Sequence, residues 1–103
     1  MSKFENVSVV KAANIYFDGK VTSRTVEFDN GETKSLGIML PGEYTFNTAA
    51  AEIMDILSGD VEVKLAGTSG YINIEGGSSF DVPAKSSFDI KVNSVTDYCC
   101  SYV

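Results

Sequence analysis

Glu43 and Glu52 are the groups in this chain best equipped to do chemistry. They bracket a polar segment between two apolar runs, 36–40 and 53–57, with a Pro41-Gly42 corner just ahead of Glu43. Carboxylates set beside apolar runs are unusual for a plain core strand. An ionised carboxylate accepts from two hydroxyls or from an N–H, and a protonated one can act as a general acid. Two carboxylates about 4 Å apart repel by roughly 4 kcal/mol at an effective dielectric of 20, so one of such a pair tends to be protonated or paired with a cation. On a strand, Glu43 and Thr45 share one face while Tyr44 and Phe46 take the other.

Cations for an anionic ligand are scarce, and Lys20 and Arg24 flank Ser23 in one short segment. Lys20 and Arg24 share a strand face but start about 13 Å apart, too far to clasp one small anion together without a bulge. The alternative for both is a solvated strand face, where Lys and Arg usually lie. Phe88 and Tyr98 are candidates to wall a planar ligand, although aromatic residues on alternating strands usually fill a core. No histidine is present, so neither a histidine metal site nor a Ser-His-Asp set can be built. Cys100, without a histidine partner, reads as a small buried hydrophobe and not as a nucleophile.

The elements that must position these groups belong to one domain, since 103 residues support one core. A 44% apolar fraction with dispersed charge fits a folded globule. The net charge of −6 makes nucleic acid and anionic membranes poor partners, yet screening over about 8 Å leaves room for a small anion at a local cation. No stretch approaches the roughly 20 apolar residues of a membrane span, and nothing near Met1 resembles a signal peptide. Cys99 and Cys100 are adjacent and point to opposite strand faces, which favours two reduced thiols and a cytoplasmic setting.

Short alternating runs separated by Gly or Pro signals predict about nine strands: 20–28, 33–40, 43–48, 52–58, 61–65, 71–74, 79–82, 86–93 and 96–102. Residues 1–13 read as a weakly patterned arm whose valines could pair as an edge strand. The segment 48–54 carries helix formers behind a possible Thr48 cap, but its length and the Ser58-Gly59-Asp60 turn favour a loop and a strand. The last strand puts Tyr98, Cys100 and Tyr102 on one face. Nine strands at this spacing imply an all-β sandwich or barrel.

Two resemblances then sharpen the expectation. Gly37, five residues, Glu43-x-Thr45, and later Glu52, six residues, Gly59, resembles the first motif of the cupin superfamily. Gly77, five residues, Pro83 and then Phe88 resembles the second, with Glu43, Thr45 and Phe88 standing in the histidine slots. The fold implied is a cupin-type jelly-roll barrel over 14–103, in which Glu43, Thr45 and Glu52 would face inward. Asn14-Ile15-Tyr16-Phe17-x-Gly19-Lys20-Val21-x-Ser23, Gly42-Glu43-Tyr44-Thr45-Phe46-x-Thr48-Ala49, Ser58-Gly59, Phe80-x-Val82-Pro83 and Tyr98-x-Cys100-x-Tyr102 look like the small pyrimidine/purine nucleoside phosphorylases. Ser101 and Ala50-Ala51 depart from that pattern. This resemblance implies a broad-specificity pentosyltransferase, a compact single-domain cupin forming a homodimer, that splits nucleosides with phosphate into base and pentose 1-phosphate. It implies no cofactor beyond phosphate as co-substrate. Its candidate roles are Glu43 and Glu52 as catalytic groups, Lys20 and Ser23 with Arg24 behind them for phosphate, and Thr45, Phe88 and Tyr98 for the nucleoside. A cupin that binds a sugar or nucleoside without cutting it is the alternative.

Overall fold

A computed structural model describes residues 2–103, so the Met1 end of the expected arm lies outside it. Eleven strands occur among the described residues: β1 (Ser8–Val9), β2 (Asn14–Tyr16), β3 (Val21–Glu27), β4 (Thr33–Met39), β5 (Gly42–Asn47), β6 (Glu52–Ser58), β7 (Asp60–Leu65), β8 (Ile72–Glu75), β9 (Ser78–Val82), β10 (Ser87–Val92) and β11 (Thr96–Tyr102). They form two antiparallel sheets facing each other. The larger runs β1-β3-β4-β11-β6-β9 with β2 also paired to β3, and the smaller runs β5-β10-β7-β8. The fold is the expected all-β cupin jelly roll.

Corners carry the chain from one sheet to the other. Pro41 separates β4 from β5, and Gly59 separates β6 from β7. Gly59 has φ +115°, and a Cβ there would run into Thr96, whose Cα lies 2.9 Å away; glycine alone meets both demands. Residues 48–51 form the expected loop and not a helix. Thr48, instead of capping a helix, is buried and donates its hydroxyl to the Pro83 carbonyl at 2.7 Å while accepting from the Ser86 N–H at 2.9 Å. That pair of bonds ties the β5–β6 and β9–β10 connections together.

Strand β2 is the element that alternation did not reveal. It is only three residues long and pairs Asn14 with Ser23 and Tyr16 with Val21. A single 3-10 turn at Phe17–Gly19 follows, with Phe17 at φ 51°, Asp18 at φ 56° and Gly19 at φ 93°. Left-handed backbone costs a non-glycine residue about 1–2 kcal/mol. The Phe17 ring offsets this by packing on Tyr44 and Phe46, with centroids 4.9 and 5.4 Å away.

The two sheets distribute polarity in opposite ways. In the smaller sheet the inward residues are apolar (Tyr44, Val61, Val63, Phe88, Ile90, Val92), and its outer face pairs Glu43 with Lys91 and Glu62 with Lys91. In the larger sheet Val21, Met39, Met54 and Ile56 supply core, but Ser23, Ser35, Cys100 and Glu52 also face inward. Its outer face shows Leu36, Ile38 and Leu57 to solvent. This inversion positions the site.

Candidate functional site

Register across the larger sheet stacks polar side chains in rows. Asn14 pairs with Ser23, Ser23 with Gly37, and Gly37 with Tyr98. The next row sets Thr25 beside Ser35, Ser35 beside Cys100 and Cys100 beside Met54. Tyr102 then lies opposite Glu52. Because strand side chains alternate with period two, β11 sends Tyr98, Cys100 and Tyr102 to the interior together.

These rows form the polar wall of a cavity of about 130 Å³, and Phe46 and Phe88 form the facing wall with their rings stacked at 5.5 Å and 25°. Met39 and Met54 line its floor, while the more exposed Tyr16 and Asn47 stand at the rim. Among the described residues no lysine or arginine lines this space, and Glu52 is the one carboxyl that does.

Hydrogen bonds join the wall into two groups. Asn14 Nδ2 donates to Ser23 Oγ at 3.2 Å and to Thr25 Oγ1 at 3.3 Å, and the Tyr98 hydroxyl reaches the Thr22 carbonyl at 3.4 Å. Gly37 leaves room for that phenol: a Cβ there would sit 2.8 Å from the Tyr98 oxygen and 2.9 Å from Ser23 Cβ, and would collide with the Thr22 carbonyl. In the second group Ser35 Oγ and the Tyr102 hydroxyl are 2.9 Å apart, with Cys100 and Glu52 beside them on the cavity wall.

Burial dominates the ionisation of these groups. It raises Glu52 above the ordinary carboxyl value, and the thiol bond from Cys100 pulls the other way. It pushes Cys100 up to about 12, with the Glu52 charge and the bond to Glu52 adding to the rise, so no thiolate nucleophile is available. Tyr102 is pushed up to about 12 by burial, and Tyr98 rises well beyond the normal phenol range for the same reason.

The candidates read from the sequence divide cleanly. Glu52, Ser23, Phe88 and Tyr98 meet at the cavity. Glu43 and Thr45 do not: both are exposed on the outer face of the smaller sheet, where Thr45 Oγ1 donates to Asp89 at 2.7 Å. The inward-facing expectation is therefore corrected for both. The inward positions fall one residue later, on Tyr44 and Phe46, because burying two aromatic rings is worth about 1.5–3 kcal/mol each while burying an unpaired carboxylate costs more. Tyr44 anchors that register by donating its hydroxyl to the Leu40 carbonyl at 2.7 Å.

Arg24 lies on the outer face of β3, and its Nε donates to the Lys11 carbonyl at 3.3 Å, away from the cavity. Lys20 is exposed and closes the left-handed turn, its N–H donating to the Phe17 carbonyl at 3.1 Å. Neither lines the cavity. Sequence reasoning missed Asn14, Ser35, Asn47 and Tyr16. Their signal was faint, since each is a lone polar or aromatic residue whose importance depends on cross-strand register. Cys100 and Tyr102 were legible as partners of Tyr98 on one face, but not as neighbours of Glu52.

Residues 11–102 match the profile of the pyrimidine/purine nucleoside phosphorylases. The chain belongs to this family. A protein of that name from Geotalea daltonii is 63% identical over the full 103 residues, covering 99% of the relative. One from Clostridioides difficile is 57% identical, covering all of this chain and 98% of the relative. Among solved structures, a protein of unknown function from an Acinetobacter species superposes with TM-score 0.95 at 40% identity, covering 98% of each chain. An RmlC-like cupin from Shewanella frigidimarina shares the fold at TM-score 0.70 and 14% identity, over 98% of this chain and 86% of that one. In this member of the nucleoside phosphorylase family, the cavity has polar groups on one wall and aromatic rings on the other. Among the described residues no three Cys, Asp or Glu side chains converge as a metal cluster.

Proposed function

We propose that this chain cleaves purine and pyrimidine nucleosides with inorganic phosphate, releasing free base and pentose 1-phosphate, as a pentosyltransferase. Two things support the reading: membership of the family, and one half-buried carboxyl facing hydroxyls on one side and stacked aromatics on the other. The carboxyl carries it. Breaking the N-glycosidic bond builds positive charge on the sugar and negative charge on the departing base. Burial favours the protonated form of Glu52, and a protonated carboxyl can give its proton to the base nitrogen as the C1′–N electron pair leaves with it. A phosphate oxygen attacks C1′ from the opposite side.

A cavity of about 130 Å³ is smaller than the roughly 300 Å³ at the low end for drug-sized ligands, so only part of a nucleoside is enclosed. We place the pentose against the hydroxyl wall of Ser23, Ser35 and Tyr98, with the base toward Phe46 and Phe88. A pocket that reads the sugar more closely than the base accounts for a wide range of bases. Phosphate is assigned to Ser23 and to Lys20, which closes the turn that starts beside Tyr16; Arg24, Glu43 and Thr45 drop out of the proposed site. No metal or organic cofactor enters this scheme, so a chelator should leave activity unchanged.

The same reading includes a cytoplasmic homodimer with no nucleic-acid or membrane partner. Two buried, unpaired thiols suit a reducing compartment. The outer face of the larger sheet offers apolar Leu36, Ile38 and Leu57, with Arg24 and Lys34 on its β3–β4 side and Asp55 and Asp97 on its β6–β11 side. A two-fold pairing would set each sign against the other. Light scattering of wild type and Leu57→Lys would test it, and a monomeric wild type would overturn it.

The activity itself is tested by free base released from uridine, cytidine, adenosine, inosine and guanosine, with and without phosphate. Phosphate-dependent release, cut by Glu52→Gln, supports phosphorolysis. Release without phosphate means hydrolysis. Ligand-dependent stabilisation with no release from folded protein means a binding cupin.

A further inference from the structure

Asn14 stands one step behind the cavity wall. It does not line the cavity, but it sits on β2 directly opposite Ser23 on β3, and Ser23 does. Opposed residues of an antiparallel pair share a sheet face, and the diagonal neighbour two residues on stays within reach. The Asn14 amide uses both positions: Nδ2 donates to Ser23 Oγ at 3.2 Å and to Thr25 Oγ1 at 3.3 Å. An amide –NH2 carries two hydrogens and cannot accept, so both hydroxyl oxygens act as acceptors toward it.

A hydroxyl that accepts from one side keeps its own proton to give elsewhere. Ser23 is buried, and the space its side chain faces is the cavity. Gly37, opposite Ser23 on β4, brings no side chain between them. Tyr98 lies across Gly37 and does not reverse this polarity, because its hydroxyl donates to the Thr22 carbonyl at 3.4 Å and is left as an acceptor.

We infer that Asn14 is a positioning residue that sets the hydrogen-bond polarity of the wall: it holds Ser23 as a donor into the cavity, for an accepting oxygen of the pentose or of phosphate. The inference rests on the reading of this cavity as the place where substrate binds. Among the described residues no lysine or arginine lines it, so neutral donors aimed in advance are what the wall itself offers such an oxygen. A free hydroxyl would have to be oriented as substrate arrives, and Asn14 does this beforehand. Turning the amide over would put Oδ1 between the two hydroxyls and draw the Ser23 proton away from the cavity.

The test makes that reversal without changing the shape. KM for phosphate, KM for uridine and kcat would be measured in wild type, Asn14→Asp, Asn14→Ala and Thr25→Val, with Asn14→Asp repeated in a Ser23→Ala background. The carboxylate of Asn14→Asp only accepts, so it takes the Ser23 proton and turns lone pairs toward the substrate. Asn14→Asp should raise at least one KM about tenfold. Asn14→Ala, which merely frees the hydroxyl, should raise the same KM about threefold, and Thr25→Val, which loosens the amide without adding charge, by less. The kcat should change less than about twofold, as for an interaction equal in ground and transition states. A packing role predicts the opposite order, since Asn14→Asp keeps the side-chain volume and Asn14→Ala does not. The KM that rises identifies the oxygen, and a rise for uridine that vanishes with 2′-deoxyuridine or 3′-deoxyuridine assigns the hydroxyl.

In the Ser23→Ala background, Asn14→Asp should add less than about twofold. A penalty that persists there comes from charge alone and would overturn the inference, as would Asn14→Asp with both KM values within about twofold of wild type. Calorimetric Kd values for uridine and for inorganic phosphate in the same variants read the Ser23 bond apart from turnover. A Ser23-dependent loss of affinity in Asn14→Asp, with no base released by wild type, would leave Asn14 in its role and overturn the phosphorylase reading instead.

Discussion

The two sheets of this barrel obey opposite rules. The four-stranded sheet is conventional, with Val61, Val63, Phe88, Ile90 and Val92 inside and Glu43, Lys91, Glu62 and Asp89 outside. The seven-stranded sheet places Ser23, Ser35, Glu52 and Cys100 inside and leaves Leu36, Ile38 and Leu57 outside. A sheet can afford polar residues inward only where they satisfy one another or enclose a space for ligand. Here both hold, and no buried side-chain polar atom among the described residues lacks a partner. The conventional sheet supplies stability and an aromatic platform, and the inverted sheet supplies chemistry.

The sharpest way to break this division is to exchange the roles of the two glutamates. Glu52→Gln should lower kcat/KM for uridine and inosine by about 100-fold or more, the scale of losing a general acid, while Glu43→Gln should change it less than about twofold. Equal losses would return Glu43 to the site. Misfolding would not explain a loss in Glu52→Gln. Burial holds the Glu52 carboxyl above the ordinary 4.5, so the native state keeps its proton longer than the unfolded chain does. Its ionisation then opposes folding as pH climbs above 4.5 through the raised value. A neutral amide removes that penalty, so the variant should be at least as stable as wild type at pH 7 by urea denaturation.

The polar rows also depend on close strand approach. Gly37→Ala puts a methyl against the Thr22 carbonyl and within 2.8 Å of the Tyr98 hydroxyl, so β3 or the phenol must move. Overpacking of this kind costs about 1–3 kcal/mol. Gly70→Ala is the control, because a Cβ there meets nothing within 4 Å. Equal denaturation midpoints for the two variants would mean the wall is softer than its geometry implies.

This contrast also explains what could be read without coordinates. The nine alternating runs, an all-β sandwich or barrel and the shared face of Tyr98, Cys100 and Tyr102 follow from period and turn signals, whereas the jelly roll follows from the cupin resemblance. Alternation states which residues lie together, however, and not which face turns inward. In β4 the apolar Leu36 and Ile38 alternate with Ser35 and Gly37, and hydrophobicity alone would bury the wrong pair. In β5 the opposite error arose: motif spacing turned Glu43 and Thr45 inward against the plain rule that Tyr44 and Phe46 should be buried. Asn14 and Ser35 were invisible because their roles come from register with Ser23 and Tyr102, long-range pairings that local patterns do not encode.

Alkaline pH distinguishes the sheets by a smaller effect. Cys100 and Tyr102 are pushed up to about 12 from ordinary values of 9.0 and 10.0, and Tyr98 rises further. In each case the native state retains protons that the unfolded chain has lost. Their contribution to stability is complete below about pH 9 and is lost progressively as pH rises toward 12. Urea midpoints under reducing conditions should therefore fall between pH 9 and 11, and the double variant Cys100→Val, Tyr102→Phe should show a shallower fall. An unchanged slope in the double variant would move the alkaline weakness out of the inverted sheet.

The smallest expected effect lies on the outer face of the conventional sheet. Thr45→Ala removes the 2.7 Å bond to Asp89, but both groups are solvated and water replaces the lost partner. Stability should drop by less than about 0.5 kcal/mol, and kcat/KM for every nucleoside should stay within about twofold. The result matters because Thr45 stands only one residue from Phe46, whose ring forms the cavity wall. If the methyl side chain altered base preference, strand β5 would be transmitting changes from its outer face into the pocket. An unaltered preference would show that period-two alternation insulates the two faces of one strand.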